Sequence, residues 1–164
     1  MKKVAVIMGS DSDLPVVEKG IAVLQELEIP FEVHVYSAHR TPIEAAKFTR
    51  NARENDFGVI IAAAGMAAHL AGAIAANTTL PVIGIPCKGP VFDGMDALLA
   101  TVQMPTGIPV ATVAVNGAGN AALLAAEILA VSDNDLAEKL RMKRESAAKR
   151  VLEKDAAINE KYKL

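Results

Sequence analysis

The chain is predicted to be an α/β protein, a three-layer α/β/α sandwich around a parallel sheet of about five strands. Two observations predict this. Short β-type runs alternate five times with longer stretches of helical periodicity, and five βα units in series imply a mostly parallel sheet covered by helices on both faces. The leading run, Val4-Ala5-Val6-Ile7-Met8, is apolar throughout, as a strand buried on both faces is. The 164 residues suit one α/β domain over 1–164. Its βα core spans 1–131 and a helical extension spans 132–164. A sheet of this kind is flavodoxin-like and binds ligands at the carboxyl ends of its strands, near the switch in strand order.

The elements follow in order. After Val4–Met8, Gly9–Asp13 is a turn. Leu14 to about Glu28 is a helix with Val17, Ile21, Leu24 and Leu27 at helical spacing and Pro15 in its first turn. Phe31–Tyr36 is a strand whose alternation sets Phe31, Val33 and Val35 against Glu32, His34 and Tyr36. Thr41-Pro42-Ile43-Glu44 predicts a capping box opening a helix that runs to about Glu54. Val59–Ala62 is the third strand, led in by Phe57 and Gly58. Ala63–Met66 is a turn, and a small-residue helix covers Ala67 to about Ala76. Pro81–Ile85 is the fourth strand, Cys87–Phe92 a loop, and Asp93 or Gly94 to Met104 a helix. Pro109–Val115 is the fifth strand, and Asn120 caps a helix to Ala130. From Asp133 to about Lys161 the chain is charged and helical, with Leu136, Leu140, Lys143 and Ala147 on one side. A thin apolar stripe of that kind suits a surface helix or one that reaches a neighbouring subunit.

Composition narrows the function. Hydrophobic residues reach 52% but aromatics only 4%, and the net charge is -2. The sequence pI of about 5.9 opposes a nucleic-acid-binding surface. One cysteine, Cys87, forbids an internal disulfide. No apolar run approaches the length of a membrane span or of a signal peptide's core, so a cytoplasmic protein is expected. The three histidines and one cysteine show no metal-ligand spacing.

The unusual polar chemistry falls in the loops that follow strands. Gly9–Asp13 offers a tight turn, two hydroxyls and a helix start; the residues serve equally as a capped turn or as an anion and sugar-hydroxyl site. The segment is neither a dinucleotide nor a Walker fingerprint, so NAD and ATP are not indicated. His39 falls just past the second strand, and an imidazole titrates near neutrality. Arg40 beside it offers a fork that matches phosphate, and a cation at a helix start opposes the helix dipole. An anchor beside an acid or base is what a phosphorylated substrate requires. Ala64–His69 is a loop of small residues that a planar ligand can approach. His69 reads as a ligand contact or as a packed interface residue, His34 as structural, and Cys87 as a passive loop thiol.

These motifs carry a resemblance. Gly9-Ser10-Asp11-Ser12-Asp13, Ser37-Ala38-His39-Arg40-Thr41-Pro42, Ala64-Gly65 with Ala67-Ala68-His69-Leu70, Val102-Gln103-Met104-Pro105 and Asn120–Ala126 are colinear over about residues 3–140. They resemble the purine-pathway carboxylase family in its bacterial class I branch, the N5-carboxyaminoimidazole ribonucleotide mutases. The resemblance implies transfer of a carboxylate from the exocyclic nitrogen of an aminoimidazole ribonucleotide to C4, by decarboxylation and recarboxylation, with no cofactor and no metal. It implies His39 as the proton shuttle. It implies substrate contacts at Ser10, Asp13 and Arg40, and a pocket completed by Ser12, Ser37, Ala38, Ala64, Gly65, His69 and Leu70. A homo-octamer is also implied. Met66 departs from the pattern, since many relatives carry glycine there, and Cys87–Asp93 is atypical for the loop after the fourth strand. The rival branch, which carboxylates aminoimidazole ribonucleotide directly, typically has Lys where this chain has Arg40 and lacks a match to His69. A non-catalytic nucleotide-binding module is the other alternative.

Overall fold

The computed structural model describes residues 1–163. Five parallel strands form one sheet in the order β2-β1-β3-β4-β5, with β1 Lys3–Met8, β2 Phe31–Val35, β3 Phe57–Gly65, β4 Val82–Cys87 and β5 Ala111–Thr112. This is the doubly wound flavodoxin-like order, whose switch point lies between β1 and β3. Register is continuous across the centre: Met8 lies opposite Val35 and Ala63, and Gly65 opposite Cys87. The strands therefore end level, and the loops after β1 to β4 emerge together.

Helices α1 (Leu14–Glu26), α5 (Ala118–Ala130) and the start of α6 (Asn134–Lys161) cover one face. There Val4, Val6, Met8, Val59 and Ile61 meet Val17, Leu24 and the alanines of α5. Helices α2 (Pro42–Asn51), α3 (Leu70–Ala75) and α4 (Met95–Val102) cover the other, over Ala5, Ile7, Ile60 and Ala62. Small residues set the spacing. A Cβ on Gly20 would sit 2.7 Å from the Ala118 carbonyl oxygen, so α1 and α5 touch only because Gly20 has none. A Cβ on Gly84 would likewise meet Thr101 Cγ2 at 2.4 Å, and the buried Thr101 hydroxyl donates to the Ala97 carbonyl within α4.

Several boundaries differ from expectation. Strand β3 runs on to Gly65 because its ladder with β4 continues, so Ala63–Gly65 are strand rather than turn. Helix α3 starts only at Leu70, and β5 is two residues long because it pairs β4 at only two positions. Cys87 ends β4 and is buried, not a loop residue. Asn120 lies inside α5, whose cap is Gly117. Helix α2 ends at Asn51 and has no side-chain cap, so the capping box does not form. On β2 the alternation holds with an unexpected polarity. Val33 and Val35 are exposed, while His34 and Tyr36 pack with Phe48 of α2. Strand β2 is the sheet edge, and α2 covers only that side.

Helix α6 is capped by Asp133, whose Oδ1 accepts from the Leu136 N–H at 3.0 Å. Its first turns are held by buried Leu136 and by ion pairs of Lys139 with Glu28, Lys143 with Glu26 and Arg144 with Glu127. From Arg144 to Lys163 every residue is exposed, including Val151, Leu152 and Ile158. Among the described residues, no helix is long and apolar enough to cross a membrane.

Candidate active site

The loops after β1, β2, β3 and β4 enclose one cavity of about 520 Å³ at the carboxyl edge of the sheet. All eleven residues singled out in the sequence line it: Ser10, Ser12, Asp13, Ser37, Ala38, His39, Arg40, Ala64, Gly65, His69 and Leu70. A larger groove of about 1050 Å³ lies near the start of β4, but no histidine or aspartate lines it. Its Arg50 and Arg53 are occupied with Asn77 and Thr79. The smaller cavity is the one with chemistry.

Hydrogen bonds build one wall. Beyond β1, the Ser10 hydroxyl accepts from the Ser12 N–H (3.3 Å) and from the Ser12 hydroxyl (2.9 Å), which curls Asp11–Asp13 into a 3₁₀ turn. Beyond β2, the Thr41 hydroxyl accepts from the Ser37 N–H at 2.9 Å and donates to the Ser37 carbonyl at 3.2 Å. The Ser37 hydroxyl accepts from the Arg40 N–H at 3.2 Å. Thr41 thus closes the His39 turn on itself instead of capping α2. The Arg40 guanidinium donates to the Gly9 carbonyl at 2.9 Å, latching the two loops together. One guanidinium nitrogen is so engaged, and the fork keeps further N–H groups for an anion.

His39 and His69 come from different loops and stack, their ring centroids 5.9 Å apart and their planes 16° from parallel. His69 sits at the cap of α3 rather than within its first turns. Both side chains are exposed to the cavity side of the molecule, as a group that exchanges protons with a ligand must be.

Asp13 lies half-buried on the floor. Burial raises its carboxyl above the usual range, while hydrogen bonds from the Cys87 thiol and the Ser10 backbone pull the other way. Burial, followed by the charge of Asp13, pushes the Cys87 thiol up to about 12. At that value the thiol keeps its proton near neutrality and is not a nucleophile; it donates to the Ile85 carbonyl at 3.8 Å and sits beside Asp13. This neighbourhood was hidden in the sequence, where Asp13 and Cys87 are far apart. Only the level strand ends bring them together.

Met66, Ala67, Lys88, Gly89 and Pro90 complete the opposite wall; the sequence placed their loops at the site without naming these residues as candidates. The Lys88 N–H donates to Asn116 Oδ1 at 2.9 Å, and Lys88 Nζ pairs with Asp93 Oδ1 at 2.9 Å. The available signal was the unusual composition of Cys87–Asp93, together with Met66 in a run of small residues.

The family model described as AIR carboxylase matches residues 3–150. The N5-carboxyaminoimidazole ribonucleotide mutase of Pyrococcus abyssi (strain GE5 / Orsay) is 54% identical over 145 residues, which are 88% of this chain and 83% of that one. A phosphoribosylaminoimidazole carboxylase of Ogataea methanolica is 58% identical over 130 residues, 79% of this chain but 24% of that longer protein. The crystal structure of Treponema denticola PurE superposes with a TM-score of 0.84 at 29% identity, over 94% of this chain and 96% of that one.

Proposed function

The chain belongs to the AIR carboxylase family, and we propose that its cavity converts N5-carboxyaminoimidazole ribonucleotide to the 4-carboxy isomer in purine biosynthesis. The observation that carries the reading is the convergence of His39, His69, Arg40 and Asp13 on one cavity at the carboxyl edge of the sheet. Arg40 and the serines of the loop after β1 hold the phosphate, and Asp13 accepts hydrogen bonds from the ribose hydroxyls. Ser37, Ala38, Ala64, Gly65, His69 and Leu70 shape the space around the base.

The chemistry needs little from the protein beyond position and one proton carrier. The bond from the exocyclic nitrogen to the carboxylate breaks, and its electron pair stays on nitrogen. Carbon dioxide is freed within the cavity. The electron-rich C4, part of an enamine-like ring, forms the new carbon–carbon bond. His39 takes the proton that C4 loses and returns it to the exocyclic nitrogen, so the sum is an isomerisation with no net proton uptake. No resident cofactor or metal enters this scheme.

The chain acts as one α/β domain in the cytoplasm, as a homo-octamer. Support for assembly comes from α6, whose exposed Val151, Leu152 and Ile158 lie beyond the part that packs on its own core; that half extends to a neighbouring subunit. Light scattering should give about eight times the 17.2 kDa chain mass.

The test is an assay of purified protein with each candidate substrate. Rapid turnover is expected with the N5-carboxy compound. Rapid turnover only with aminoimidazole ribonucleotide plus bicarbonate would transfer the chain to the direct-carboxylation branch. No turnover with either would leave a binding module.

A further inference from the structure

We propose that Met66 determines how much of the carbon dioxide formed in the cavity is retained for the second bond, an inference that rests on the mutase reading. Four features of the fold lead to it.

The first is backbone strain. Met66 sits at φ +55°, in the left-handed region, where a residue with a Cβ is disfavoured and glycine is not. Among the described residues, five non-glycine ones share a positive φ. Asp56, Asp93 and Asn116 are types that tolerate it, and Glu28 follows the C-cap of α1, where a helix commonly ends in this conformation. Met66 alone of the five is apolar.

The second is the lack of core packing to offset that strain. Met66 belongs to neither core cluster and is 67% exposed. Glycine would hold the turn equally well, because the turn's own bond, from the Ala68 N–H to the Met66 carbonyl at 2.9 Å, involves only backbone. The side chain is therefore packed into neither core, and the turn's own bond does not need it. Strain at an uncompensated position inside a binding cavity points to a role in the bound state.

The third is position. Met66 lines the cavity between Gly65, which ends β3, and the loop after β4. A Cβ built on Gly89 would meet Met66 Cγ at 4.0 Å, so the stem of the methionine side chain lies beside Gly89 at the mouth. Leu70 also lines this side but is buried, whereas Met66 is a long flexible apolar side chain that stands exposed there. Methionine adapts its shape to what it covers.

The fourth is the chemistry. Carbon dioxide is small, neutral and apolar. It accepts only weak hydrogen bonds, so an apolar cover over the mouth adds to its retention. The ribonucleotide fills the cavity and gives the exposed thioether a surface to close on. Retention then depends on how well that side chain seals the gap beside Gly89.

The test compares wild type with Met66→Gly and Met66→Leu on the N5-carboxy substrate, corrected for reaction without enzyme. Two quantities are measured: the ratio of released aminoimidazole ribonucleotide to 4-carboxy product, and incorporation of ¹³C from labelled bicarbonate into that product. Met66→Gly suits the φ angle, so its melting temperature should equal or exceed wild type and misfolding should not confuse the result. Both measured quantities should rise by about threefold or more in Met66→Gly, and Met66→Leu should stay near wild type. If Met66→Gly partitions as wild type does, the side chain does not retain carbon dioxide and the inference is overturned while the mutase reading stands. Equal leakage in Met66→Leu and Met66→Gly would also overturn it, since apolar cover would not be the cause. A wild-type enzyme that forms no 4-carboxy product would remove the mutase reading and this inference together.

Discussion

The two walls of the cavity are built by opposite means. On the side of β1 and β2, Ser10, Ser12, Ser37, Arg40 and Thr41 bond one another and the backbone, so the His39 turn is held before any ligand arrives. On the side of β3 and β4, the wall is small or apolar apart from His69 and Lys88, carries a positive-φ methionine, and leads to exposed Val91 and Phe92. The difference teaches that orientation and enclosure are separate tasks. A polar wall fixes charges and a proton carrier at known positions. An apolar wall with few bonds is free to adapt around a bound ring and a released gas.

The strongest test of the polar wall is His39→Asn. The variant should fold and bind ribonucleotide with near wild-type affinity, yet lose about 10²–10⁴ in kcat. Single-turnover assay beside ligand titration checks this, and near-normal turnover would take His39 out of the mechanism. Arg40→Ala should act on binding instead. Loss of a charge-assisted contact of about 1.5–3 kcal/mol weakens affinity for the phosphorylated ligand roughly 10–150-fold. Because Arg40 also latches the Gly9 carbonyl, Arg40→Lys should recover only part, a point charge being unable to serve latch and phosphate together. Unchanged affinity in Arg40→Ala would refute the anchor.

Thr41→Val asks whether the wall is pre-built. It leaves the Ser37 N–H without its acceptor and should cost about 1–2 kcal/mol, with a KM increase larger than the kcat decrease. Thermal melts and steady-state kinetics read both; an unchanged KM would mean the His39 turn stands without Thr41.

The smallest effect expected concerns Asp13. Its carboxyl is raised from 3.8, chiefly by burial, so the folded chain holds that proton more tightly than the unfolded chain does. The sign follows from linkage: ionising Asp13 removes stability as pH rises from about 3.8 through the raised value, and the loss persists at neutral pH. Asp13→Asn should therefore raise the melting temperature slightly at pH 7, with the gain vanishing below pH 3.8, while weakening ribonucleotide binding. A lower melting temperature at pH 7 would show that the Cys87 and Ser10 hydrogen bonds outweigh burial.

Much of this was legible in one dimension. Alternating runs located all five strands, and the position of each loop after its strand placed Ser10, His39, Ala64 and Lys88 at one sheet edge before any coordinates. Periodicity works there because a buried parallel strand and an amphipathic helix leave different apolar spacings. Lengths were less legible. Strand β3 extends through Ala63–Gly65 because β4 pairs with it, and α3 shrinks accordingly. Alanine and glycine fit either element, so pairing decides. Thr41 misled for a related reason. A hydroxyl before Pro42 suits a helix cap, but a closer acceptor and donor at Ser37 claim it.

The sequence by itself determined the fold class, the loops that bear chemistry, and the family to which they are colinear. Those depend on local apolar patterns and on residue types that recur at set spacings. The tertiary structure decided which groups meet: the Arg40 latch on Gly9, the His39–His69 stack, the thiol of Cys87 beneath Asp13, and Met66 facing Gly89. Each of these joins segments far apart in the chain. Their contact depends on strand order and register, and neither is written in the local pattern of any one segment.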